Sequence, residues 1–260
     1  MMNNYIIIGP ARSGTTVTHL ILKGHPQVSA LNDEVQVMKL FGDGISTYTS
    51  GNDSQIESIN GFRHAYEMLA LLNLGKDTRA AGIKCAVISI EAARVFAERI
   101  KASFPDVSII VIVREDILAQ YASLTRARKT NIYHSWKIKT DSKTLKKINI
   151  DKGSYSRYFL ENIEIINILR SLRETNKYLE ISYEQDILPS LDYCSKLYEF
   201  LELDYVEPTW VNSKKVAPLP KEFVSNYENI KAIEPALLEN IKELFSFRYY
   251  FKCYLKRFIK

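Results

Sequence analysis

The residues of this chain best suited to chemistry lie near its start, in Gly9-Pro10-Ala11-Arg12-Ser13-Gly14-Thr15-Thr16. Two glycines with four residues between them have the spacing of a phosphate-binding loop, G-x-x-x-x-G. Such a loop turns successive backbone N–H groups toward one point, and a helix that starts directly after it adds the positive end of its macrodipole. Ser13, Thr15 and Thr16 add hydroxyl donors. In nucleoside-triphosphate enzymes a lysine follows the second glycine and reaches the terminal phosphates; here Thr15 stands in its place, and Arg12 is the only cation of the loop. No acidic residue of the Walker-B kind closes the apolar run 107–113, which leads into Arg114 instead. This charge pattern suits an anion smaller than a triphosphate, handled without a metal ion.

The elements that position the loop follow from hydrophobic patterning. Tyr5-Ile6-Ile7-Ile8 is a short continuous apolar run, as expected of a strand buried on both faces of a parallel sheet. Gly9 and Pro10 end it, and an apolar pattern through Val17, Leu20, Ile21 and Leu22 predicts a helix that stops near Gly24 and Pro26. Further strands are expected over 81–88, interrupted by Lys84, over 107–113, and over 178–183. Helices are expected over 92–100, 116–128 (capped near Glu115-Asp116), 156–174 and 189–201. Strands alternating with helices predict an α/β domain, a three-layer sandwich with a mostly parallel central sheet. The polar segments 42–60 and 137–152 read as surface loops, either of which could frame an acceptor pocket. No internal repeat or linker divides the chain, so one domain over 1–260 is expected, with a core over about 5–203 and a tail over 204–260.

Composition narrows the function classes. The chain has 260 residues, of which 46% are hydrophobic, enough for a packed core. A net charge of +5 suits an anionic ligand and is too small to argue for nucleic acid. Cys85, Cys194 and Cys253 have neither disulfide nor metal-site spacing. The first residues do not form a signal peptide, and no apolar stretch is long enough to cross a membrane, so a cytoplasmic protein without a transmembrane anchor is expected.

Arg12-Ser13-Gly14-Thr15-Thr16 resembles the signature loop of the sulfotransferases that use 3′-phosphoadenosine 5′-phosphosulfate (PAPS). The family's fold is a P-loop-like parallel sheet flanked by helices. The resemblance implies that the loop, from Pro10 and Ala11 to Thr16, holds the donor's phosphosulfate and that no metal takes part. Family members grip the 3′-phosphate with an arginine at the end of a central strand and a serine on the next helix, which Arg114 and Ser123 match. Gln120 and Ser123 share a helix face. In many relatives this arginine-to-serine interval is one residue shorter, so the intervening turn must absorb a position. The wording from Arg114 to Trp136 looks closest to bacterial trehalose-type and carbohydrate branches.

Later, Leu179-Glu180-Ile181-Ser182-Tyr183-Glu184 resembles the family's strand ending in Tyr-Glu, after which a helix and Phe200-Leu201-Glu202-Leu203 follow. Tyr183 is then either near the adenine or an ordinary core tyrosine. Lys215, with Lys214, would close over the nucleotide. Charge builds on the bridging oxygen as the sulfuryl group leaves, so a cation there lowers the barrier; Arg12 is one candidate and Lys84 another, unless Lys84 simply snorkels to solvent. In the carbohydrate branches an acidic residue after the first helix serves as base, and Glu34 is the best match, with Asp33 beside it; a helix N-terminal acid is the competing reading. His25 reads as structural, and His134 as a residue near the acceptor. The implied activity is sulfuryl transfer from PAPS to a hydroxyl, less readily an amine, of a small molecule, carbohydrate or glycolipid, with 3′,5′-ADP (PAP) as product. The alternatives are a P-loop kinase or NTPase and a non-catalytic PAP-binding protein.

Overall fold

A computed structural model describes residues 3–36, 77–130, 147–208 and 219–244. The chain divides into two compact units, Met1–Glu115 with Ile168–Lys214, and Asp116–Asn167 with Lys215–Lys260.

Among the described residues, the first unit has five strands: β1 (Asn3–Pro10), β2 (Val28–Gln36), β3 (Ala80–Val87), β4 (Ser108–Val113) and β5 (Tyr178–Ser182). All neighbours are parallel, in the order β2-β3-β1-β4-β5. The central strands are apolar throughout because both faces are covered. Every residue of β3 and β4 is buried, as are Tyr5 to Pro10 of β1. Tyr5, Ile7, Ile110, Ile112 and Ile181 share one core with helix α1 (Thr15–Lys23) and helix α5 (Tyr193–Phe200), through Ile21, Leu22, Tyr193, Leu197 and Tyr198. Their neighbours Ile6, Ile8, Ile109 and Val111 point to the opposite face by strand alternation and are equally buried. Helix α2 (Ile90–Ser103) contributes Ala92, Ala93, Phe96 and Ile100 to the core and packs on β3. Helix-flanked parallel sheet is therefore the architecture, as the alternation of elements predicts.

Two local choices fix this frame. Gly82 pairs with Tyr5 across β1 and β3, and a side chain there would run into the Tyr5 ring. Helix α5 ends with Glu202 in the left-handed region, φ 57°, while Leu203 N–H donates to Tyr198 C=O at 2.9 Å and Glu202 N–H to Glu199 C=O at 3.1 Å. These are the paired bonds of a Schellman ending.

The second unit contains α3 (Ile117–Thr130), the main part of α4 (Lys152–Arg170), and the short helices α6 (Pro220–Phe223), α7 (Tyr227–Lys231) and α8 (Glu234–Leu244). Asp116 caps α3 as expected, its carboxylate accepting from Ala119 N–H at 2.9 Å. Ile117, Leu118, Tyr155, Phe159, Phe223 and Ile230 form a separate core. Residues 147–150, expected as the end of a surface loop, are instead tied down. Ile148 and Ile150 are buried, Ile148 bridges to Val224, and Asn226 bonds both polar backbone groups of Ile150. Among the described residues no helix is long and apolar enough to cross a membrane.

Candidate active site

Strand β1 lies between β3 and β4, and the chain switches sides of the sheet around it. The carboxyl end of such a strand is the customary ligand crevice of an open α/β sheet. The loop 9–14 leaves from this end and delivers Thr15 as the first residue of α1.

Its shape depends on two positive φ angles, 67° at Arg12 and 109° at Gly14. A left-handed arginine is uncommon, and such conformations cluster at ligand-binding sites. Hydrogen bonds hold the loop, among them Ser13 N–H donating to Pro10 C=O at 3.2 Å and Arg114 Nη1 donating to Arg12 C=O at 3.3 Å. Gly9 is needed for close approach, because a side chain there would strike the Ile112 carbonyl and lie 2.7 Å from Ser13 Oγ. Gly14 is needed twice, for its φ and because a Cβ would sit 2.8 Å from the Tyr183 ring. Ser13 is fully buried, and its hydroxyl has no hydrogen-bond partner among the described residues. A buried unsatisfied hydroxyl costs stability unless something completes it.

The loop lacks the usual lysine, yet an ammonium reaches it from the neighbouring strand. Lys84 of β3 is 4% exposed, and its Nζ donates to Thr16 Oγ1 at 3.0 Å. Lys84 therefore points inward, against the snorkelling alternative. Glu34 lies on β2 and not at a helix start, and its backbone is in register with Lys84 on the adjacent strand. The pairing of β2 with β3 shifts between Ala30 and Glu34, and such irregularities re-aim side chains near functional sites.

Arg114 follows β4 and is mostly buried. Its Nε faces Glu184 Oε1 at 3.4 Å, and its guanidinium stacks on the Tyr183 ring, 4.6 Å from the centroid. Tyr183 thus touches both the loop, at Gly14, and Arg114. It opens a single π-helical turn, Tyr183–Ile187, capped by Ser182 Oγ, which accepts from Gln185 N–H. Such turns recur at functional sites. Arg12, Ser13, Gly14, Thr15, Thr16, Lys84, Arg114 and Tyr183 are accordingly gathered in the first unit. Ser123 stands on α3 in the second unit, where neighbouring Gln120 is buried and accepts from Asn162 Nδ2 at 2.7 Å. Lys214, Lys215, His134 and the segment 42–60 lie outside the described residues. His25 is buried, with Nε2 2.9 Å from Asp204 C=O and Nδ1 accepting from Gln27 N–H, which is a structural use. Among the described residues no group of three or more His, Cys, Asp or Glu could hold a metal ion.

Residues 5–207 match the model of the Sulfotransferase family. The chain belongs to this family. Solved sulfotransferases share its fold at low sequence identity. One from Alicyclobacillus acidocaldarius is 15% identical, with a TM-score of 0.56 over 95% of this chain and 96% of the other. The sulfotransferase domain of the curacin biosynthetic pathway is 16% identical, TM-score 0.53, over 93% and 91%. Mouse sulfotransferase SULT7A1, solved in complex with PAP, is 12% identical, TM-score 0.52, over 98% and 89%. No curated protein sequence matches the chain. Sulfotransferase membership assigns the chain to the enzymes of sulfuryl transfer.

The sequence assigns no role to Glu184, and marks Gly9 as a glycine of the loop without showing its close approach to the Ile112 carbonyl. The Tyr183-Glu184 pair was visible as a motif, but its contact with Arg114 depends on β4 and β5 being neighbours.

Proposed function

We propose that this sulfotransferase uses PAPS as donor, with the loop 9–16 around the phosphosulfate. The observation that carries the reading is the loop itself: two left-handed residues, a buried Ser13 hydroxyl without a partner among the described residues, and the Lys84 ammonium on Thr16. A loop so shaped, with an unpartnered hydroxyl and an ammonium beside it, suits an anion. Arg114, stacked on Tyr183, is the residue for the 3′-phosphate, since guanidinium matches phosphate with two parallel charge-assisted bonds. Tyr183 would lie by the adenine, and the family resemblance alone gives Ser123 to the same phosphate. The SULT7A1 complex with PAP supports a donor of this class.

In the reaction the acceptor oxygen forms a bond to sulfur while the bond from sulfur to the bridging oxygen breaks. PAP leaves with the electron pair. Negative charge grows on the bridging oxygen, where Lys84 and Arg12 offset it. The acceptor proton passes to Glu34, whose backbone register beside Lys84 suits a base flanking a cation. The acceptor is a hydroxyl of a carbohydrate or glycolipid, the reading supported by the resemblance of 114–136 to the carbohydrate branches.

The direct test is calorimetry with PAP in the presence of EDTA. Micromolar binding that survives the chelator is the expected result. No binding at millimolar PAP would refute the donor assignment.

A further inference from the structure

Arg114 does not hold its own orientation; three groups of the first unit do. Its Nε faces Glu184 Oε1 at 3.4 Å, its plane lies on Tyr183, and Nη1 donates to the Arg12 carbonyl. Glu184 is itself fixed, because its Oε2 accepts from Glu115 N–H at 2.8 Å. That peptide is braced in turn: Glu115 Oε1 accepts from Ser182 Oγ at 2.9 Å and from Gln185 Nε2 at 2.7 Å. A carboxylate anchored to the backbone presents a stationary charge to one edge of the guanidinium. At this distance Nε makes no hydrogen bond, so Glu184 acts on the guanidinium as a fixed charge; phosphate would be gripped by the terminal nitrogens, with Nη1 keeping one hydrogen for it beside the bond to the Arg12 carbonyl.

We propose that Glu184 is a positioning residue for donor recognition: it sets the rotation of Arg114 so that the guanidinium fork meets the 3′-phosphate. This role rests on the reading of Arg114 as the 3′-phosphate ligand. The alternative role for an acid beside an arginine is mere neutralisation, and it has the opposite sign. Removing a neutralising charge would strengthen phosphate binding, whereas removing an orienting one weakens it. The backbone bond to Glu184 favours orientation, since a carboxylate held in place cannot swing aside as the phosphate arrives.

The experiment measures the dissociation constants of PAP and of 5′-AMP, which lacks the 3′-phosphate, for wild type, Glu184→Gln, Glu184→Ala, Arg114→Ala and Arg114→Ala/Glu184→Ala. Glu184→Gln keeps the shape and the acceptor for Glu115 N–H, so it keeps the test usable if the alanine variant folds poorly. Glu184→Ala should weaken PAP about tenfold and Glu184→Gln about threefold, fractions of a charged hydrogen bond. Both should leave 5′-AMP within about twofold, and Glu184→Ala should add nothing once Arg114 is gone. Unchanged or tighter PAP binding in both Glu184 variants would overturn the positioning role. So would an equal loss for 5′-AMP, the mark of general structural damage. Unchanged PAP binding in Arg114→Ala would instead remove the 3′-phosphate reading, and the role of Glu184 with it.

Discussion

Gly14→Ala isolates the part of the loop that geometry alone should dictate. Gly14 sits at φ 109° and ψ 4°, and a left-handed conformation costs a residue with a side chain about 1–2 kcal/mol. The new methyl would also lie 2.8 Å from Tyr183 Cδ2 and 3.1 Å from Ile187 Cδ1. Both neighbours belong to the same π-helical turn, so the ring cannot retreat without moving that turn; forced overpacking of this kind costs about 1–3 kcal/mol. The sum is on the order of 3 kcal/mol. For a chain of this size it corresponds to a fall in Tm of about 6–12 °C. Circular dichroism melting reads the change. Gly153→Ala serves as the control: its Cβ meets only Asp151 Oδ1 at 3.5 Å, an ordinary contact, and its Tm should stay within about 2 °C. Because Tyr183 also carries Arg114, PAP affinity should fall with Gly14→Ala. A Gly14→Ala melt that coincides with wild type would refute the reasoning about this turn.

Other outcomes follow from single contacts. Lys84→Met should lower turnover about 10²–10³-fold, the loss typical of one electrostatic donor to a developing charge, in a single-turnover assay with PAPS; normal turnover would release Lys84 from the site. Ser89 caps α2, accepting from Ala92 N–H at 3.1 Å, so Ser89→Ala should cost about 1 kcal/mol of stability in urea unfolding without altering turnover. Burial pushes the Cys194 thiol up to about 11, so mass-spectrometric mapping after iodoacetamide at pH 8 should find Cys194 unmodified. The same shift has a stability sign: the folded state keeps a proton that the unfolded thiol loses from about pH 8.5. Its contribution is complete below that pH and is lost as pH rises toward 11.

The buried centre of the fold was legible because parallel strands covered on both faces need continuous apolar runs, and Tyr5 to Ile8 and Ile109 to Val113 are such runs. Strand β2 was not. Its sequence, Val28-Ser29-Ala30-Leu31-Asn32-Asp33-Glu34-Val35-Gln36, belongs to an edge strand whose register shifts midway, so neither a continuous run nor clean alternation marks it. The first acid of a helix is therefore a competing reading of Glu34 in the sequence. The helices α6 and α7 have four and five residues, too few for a 3.6-residue period to show. In the site, the loop announced itself through spacing, and Lys84 through its intrusion into an apolar strand. What joined them, the bond from Lys84 to Thr16, required the knowledge that β3 lies beside β1. Glu184 was hidden for the same reason, since an acid reads as solvated until its arginine is placed next to it.

Label transfer from [³⁵S]PAPS addresses the central claim most directly. The purified chain is incubated with labelled donor and a dialysed extract that supplies acceptors, and the labelled product is isolated and identified by mass spectrometry. The account predicts transfer by wild type in EDTA, release of PAP in equal amount, and loss of transfer with Arg12→Ala. Wild-type protein that binds PAP yet moves no label to any acceptor would contradict it.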